Sequence, residues 1–219
     1  MTHRLYQHRF EFFLVSLLII LFGSLFFPQQ LFEKVMMPLF ILLNIASGIL
    51  MISRKKNLRR FIMALFLVTF LFFMRSMIFG QVDNTSQFIR LGIYFMFYLI
   101  VTFEIIKQVW SAPVVNKNVI IGLMCGYISL GLIAFFVFLG IELAVPESFS
   151  GMVSDGKIDS LLYYSYITML TIGYGEIVPV TPVAQKAAIL TGLAGQFYIV
   201  IITAVVVEKY IRHSIKADK

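Results

Sequence analysis

Five consecutive residues, Thr171-Ile172-Gly173-Tyr174-Gly175, carry the clearest chemistry in this 219-residue sequence. That chemistry is the coordination of a dehydrated monovalent cation by peptide oxygens. Glycines at alternate positions free the backbone to take positive φ, which residues with a Cβ reach only under strain. Successive carbonyls can then be aimed at one side, with the Thr171 hydroxyl as a further ligand at one end. One strand supplies a single carbonyl per layer, whereas such a cation needs about eight oxygens, so four chains around an axis are required.

A bare Gly-Tyr-Gly is a weak signal, and the flanks strengthen it. Tyr163-Tyr164-Ser165-Tyr166-Ile167-Thr168-Met169-Leu170 leads in, and Glu176-Ile177-Val178-Pro179-Val180-Thr181-Pro182 leads out. Together these resemble the filter region of tetrameric potassium channels, whose Thr-x-x-Thr-x-Gly-Tyr-Gly-Asp run is matched by Thr168, Thr171 and the two glycines. The resemblance implies K⁺ held by the backbone carbonyls of Thr171, Ile172, Gly173 and Tyr174 and by the Thr171 hydroxyl, with Gly175 completing the motif and no other cofactor. Ile172 stands where the family has Val, a minor change because the ion meets its carbonyl. Glu176 replaces the usual Asp, keeping the charge at the outer mouth on a longer arm. Ile167 occupies a position where some relatives carry an acid that braces the residue after the filter, so Glu176 has no partner there. Tyr163, Tyr164 and Tyr166 are expected to form a cuff around the filter, with interfacial anchoring as their plainer role.

Gly195 lies twenty-four residues beyond Thr171, where the family places its inner-helix hinge, and with Gly192 it is the candidate gating hinge. Glycine weakens a helix by roughly 1 kcal/mol, so bending there is cheap. Close helix packing through Gly192, Ala194 and Gly195 is the rival reading. Residues four apart share a helix face, which makes Ile199, Thr203, Val207 and Ile211 the expected lining of a cavity and inner gate.

The elements that must position this stretch are membrane helices. Sixty per cent of the chain is hydrophobic, 13% is charged and the mean hydropathy is +0.92, more apolar surface than a water-soluble domain of this size can hide. Apolar runs at 10–27, 35–52, 61–80, 88–108, 118–143 and 183–210 are long enough to span, and a seventh at 158–170 is too short. The first is expected to be a membrane helix rather than a cleaved leader, since it lacks a small-x-small cleavage site. The fold expected is all-α: six transmembrane helices plus a re-entrant pore helix and filter loop, in a fourfold homotetramer. Residues 1–112 form a four-helix transmembrane domain, and 113–219 form the pore domain. About nine residues follow the last helix, so no appended nucleotide- or Ca²⁺-binding domain is expected among them. Cys125, the one cysteine, reads as a buried core residue.

Charge sets orientation. Thirteen of the eighteen Lys and Arg residues cluster at Arg4, Arg9, 54–60, Lys107, Lys117 and the C-terminal end, which places that side and both termini in the cytoplasm. The organism class implied is prokaryotic, with the chain in the plasma membrane. Acidic residues including Asp83, Glu142, Glu147, Asp155, Asp159 and Glu176 fall on the other side, where they would concentrate cations. Arg54, Lys55, Lys56, Arg59 and Arg60 serve topology first and anionic lipid second. Between 88 and 108 the only basic residues are Arg90 and Lys107, far from an Arg at every third position, so weak or absent voltage dependence is expected. Glu104 is expected to pair with Lys107, three residues on, and Arg75 with Asp83. The function expected is passive K⁺ conduction rather than an enzyme reaction. The alternatives are a K⁺ uptake transporter subunit, against which the single filter loop argues, and a non-conducting regulatory subunit.

Overall fold

A computed structural model describes residues 7–52, 55–79, 84–153 and 156–217. Six helices are long and apolar enough to cross a membrane. Helix α1 (Arg9–Phe22) continues as a 3₁₀ turn to Phe26, and a short turn at Gln29–Leu31 and a π-helical stretch, Phe32–Met36, lead into α2 (Met37–Met51). Then come α3 (Lys56–Phe79), α4 (Asn84–Trp110) and α5 (Lys117–Ala144). The short helix α6 (Lys157–Met169) precedes the filter, and α7 (Pro182–Ala217) follows it.

The largest departures from the expected boundaries are at α3 and α7. The basic tract is not all linker: α3 begins at Lys56, because Lys and Arg are good helix formers whose long stems lie along apolar surface while their charges reach water. The last helix also runs beyond 210, to Ala217. Asp83, Asp155, Arg54 and the Ile211 side chain, all assigned roles above, lie outside the described residues.

The helices pack around α5. Its largest interface is with α4, and α1, α6 and α7 also lie against it. Only six residues, 111–116, join α4 to α5, and α1 and α4 both pack on α5 of their own chain. Asn116 caps α5, accepting from the Val119 amide at 3.1 Å, which satisfies one of the free donors of that helix end. The buried core is continuous across both segments, from Phe13 and Ile45 through Tyr98 to Phe135 and Leu161.

Ionisable groups inside this core are paired, as the low dielectric demands. Glu104 departs from expectation: its carboxylate takes Lys55 across the helix gap, and Gln108 donates to it at 3.4 Å. Lys107, three residues on, is left exposed. Gln108 also donates to the Met51 carbonyl and accepts from Arg9, which ties together one end of α1, α2 and α4. Lys55 therefore has a protein partner although it is exposed, and Lys56, Arg59 and Arg60 are exposed with no partner among the described residues. Cys125 is buried, its thiol against the Phe10 carbonyl.

Candidate functional site: the filter loop

The filter loop is held at both ends. At its start, α6 winds down through the Leu170 amide to the Tyr166 carbonyl, after which the Thr171 and Ile172 amides donate back to Thr168 and Ile167 at 3.1 and 2.9 Å. These bonds turn the amide edge of the strand toward α6. At its exit, Val178–Pro179 pairs antiparallel with Phe149–Ser150, and the Val180 amide donates to the Ser148 carbonyl. Gly151, at φ +87°, makes room for this crossing, since a Cβ there would meet the Glu176 carbonyl oxygen. Thr181 then caps α7 through the Ala184 amide, with Pro182 as its first residue.

Between these anchors φ alternates in sign. Thr171, Gly173 and Gly175 are positive at 57°, 58° and 90°, and Ile172 and Tyr174 are not. Nothing lies within 4 Å of a Cβ placed on Gly173 or Gly175, so glycine is required there by backbone conformation rather than by space. Thr171 adopts the left-handed conformation despite its Cβ, at a cost of about 1–2 kcal/mol. Among the described residues, no hydrogen bond reaches the carbonyls of Thr171, Ile172, Gly173 or Tyr174. The whole stretch 171–176 is exposed, Tyr174 to 72%. A row of unsatisfied carbonyls beside a cluster of exposed apolar side chains would be unstable in lipid, and it is suited to binding a cation.

The aromatic cuff is only partly as expected. Tyr164 is buried in a cluster with Phe138 and Phe149, ring centroids 5.0 and 5.3 Å away. Tyr166 lies on Gly131 of α5 and donates to the Ile128 carbonyl at 2.7 Å. Within the chain, both fasten α6 to α5 rather than the filter itself. Thr168 lies beside the Tyr164 hydroxyl. Tyr163 is the member that reaches the loop: its hydroxyl meets the Glu176 carboxylate, which pushes the phenol up to about 12. Glu176 thus has a brace one turn earlier on α6 than the buried Ile167.

Gly195 sits where α7 crosses the end of α6. A Cβ there would stand 2.5 Å from the Met169 carbonyl oxygen, whereas at Gly192 the nearest contact is the Thr168 oxygen at 4.0 Å. Close packing is therefore a sufficient reason for Gly195, and α7 passes through it unbroken. Ile199, Thr203 and Val207 are all exposed, on a side of α7 turned from the chain's own core. Sequence reasoning missed Tyr198, which lies on Gly126 of α5 and donates to the Leu123 carbonyl at 2.7 Å. The two contacts are alike: each tyrosine fills a glycine notch and bonds the carbonyl three residues earlier. Gly126 and Gly131, two of the α5 glycines and five residues apart, were the available signal.

Residues 124–212 match the family described as "Ion channel", which is not a class of enzymes. Potassium voltage-gated channel subfamily A member 10 from Mus musculus is 31% identical over 91 residues, covering 37% of this chain and 17% of that protein. The protein of the same name from Homo sapiens matches to the same extent. The chain thus spans under a fifth of the length of these relatives. No solved structure matches it.

Proposed function

We propose that this chain, whose residues 124–212 match the ion-channel family, is a potassium channel, conducting K⁺ passively through a central pore built by four copies of the chain. The observation that carries this reading is the run of unbonded carbonyls at Thr171, Ile172, Gly173 and Tyr174, in a stretch where φ alternates in sign. Four such runs replace the hydration shell of K⁺, and the Thr171 hydroxyl adds a ligand at the inner end. The carbonyl end of α6 lies beside this strand, and its negative dipole favours a cation there.

The exposed face of α7 lines the route inward, with Ile199 and Thr203 on the cavity and Val207 forming an apolar gate. Gly195, with Gly192, lets α7 bend. Arg90 and Lys107 are the only basic residues of α4, and each charge crossing the field contributes about 2.3 kcal/mol per 100 mV, so gating depends weakly on voltage. The basic ends of the helices face the cytoplasm of a prokaryotic cell, and Lys56, Arg59 and Arg60 meet anionic lipid there.

Purified protein in planar bilayers tests this. Unitary currents reversing at the K⁺ equilibrium potential in a K⁺/Na⁺ gradient are expected, with little change of open probability between −100 and +100 mV. Equal K⁺ and Na⁺ permeation would end the reading.

A further inference from the structure

A cavity of about 420 Å³ lies between α2, α4, α5 and the start of α6, away from the filter loop. Its volume is that of a small-molecule pocket. The floor is apolar, with Ile41 and Phe136 both buried, and the rim carries four charged side chains, Glu33, Arg90, Glu142 and Lys157. These four are not equivalent. The Glu142 carboxylate is occupied by the amides of Glu147 and Ser148 at 3.1 and 3.0 Å, with Lys157 at 3.7 Å. Glu33 faces the amides of Asp159 and Ile158 at the start of α6, and its Oε1 is buried without a hydrogen-bond partner among the described residues. The four charges balance, and Arg90 makes no hydrogen bond or ion pair among the described residues, so its guanidinium is the donor at the rim that is open to a ligand.

Depth in the membrane identifies an occupant. The rim is formed where α4 begins, α5 ends and α6 begins, which is the level of lipid headgroups, while the floor reaches into the hydrocarbon. A guanidinium at that level matches a phosphate diester geometrically as well as electrically. We infer that the cavity holds a phospholipid of the surrounding leaflet, its phosphate on Arg90 and one acyl chain on the floor at Ile41 and Phe136. The inference requires only that the chain spans a membrane, and it stands or falls independently of which ion is conducted.

The test uses the full chain in detergent with phosphatidylglycerol as the probe, read by native mass spectrometry. One lipid retained per chain is expected for the unaltered protein and for Arg90→Lys. Arg90→Gln lowers the affinity by at least about tenfold, and Ile41→Trp, which fills the floor, abolishes retention. A triple change, Lys56→Gln, Arg59→Gln and Arg60→Gln, leaves the retained lipid in place, and excess inorganic phosphate does not displace it. Equal retention by Arg90→Gln and Arg90→Lys, loss in the triple variant, or displacement by phosphate alone would each overturn the proposal. The Arg90 pair differs only in charge on a partly exposed side chain, so it remains readable if Ile41→Trp does not fold.

Discussion

Helices α3 and α7 are the two least covered by the rest of the chain, with 11% and 17% of their spanning windows buried against 56% for α5. Their sequences are both apolar, yet they handle polar residues in opposite ways. In α3, Thr69 is buried, and the exposed positions of the mid-span, such as Leu67, Phe70 and Leu71, are hydrocarbon. In α7, Gln196 and Thr203 are exposed beside Phe197 and Val200. Thr69 finds no hydrogen-bond partner among the described residues, but a lipid-facing helix keeps apolar side chains outward because hydrocarbon offers polar groups no hydrogen bond. The α7 pattern fits a surface met by protein and water, the place the proposed pore gives it.

Perturbations of this contrast differ in size. The largest effect is expected at the loop beside α7: Gly175→Ala imposes a Cβ on φ +90° with open space around it. The protein should therefore still fold while K⁺ flux into proteoliposomes falls to background. Gly195→Val comes next, since its Cβ collides with the Met169 carbonyl oxygen; the yield of folded protein on size-exclusion chromatography should collapse, whereas Gly192→Ala should elute as the parent does. A polar residue placed on the lipid face, Leu71→Gln, should lower the thermal midpoint, while the reverse change on α7, Gln196→Leu, should leave the midpoint at that of the parent and alter unitary conductance instead. Tyr166→Phe and Tyr198→Phe are the smallest, each removing one hydrogen bond to α5 worth about 1 kcal/mol. Additive shifts in a double variant would show that the two glycine notches act separately.

The six spans and the short helix were legible because hydrocarbon thickness imposes a length that composition alone reveals. Boundaries failed where charged residues are also helix formers, as at Lys56. The filter loop was legible from its glycines, whose reason is local: only the backbone conformation at 173 and 175 matters, and no neighbour approaches. Gly195 was ambiguous between hinge and packing, because that depends on which atom stands opposite it. The partner of Glu104 was missed for the same reason. Lys107 is near in sequence, but Lys55 is near in space.

By itself, then, the amino-acid order determined what is governed by local rules and by solvent: the number of crossings, the site of the re-entrant loop, and which residues can take positive φ. Only the tertiary structure decided what depends on facing atoms. It placed Tyr164 and Tyr166 against α5, gave Glu176 its brace in Tyr163, and left one side of α7 uncovered. Contacts between helices distant in sequence are set by how side chains interlock across a gap, and hydropathy is nearly uniform along both walls of that gap.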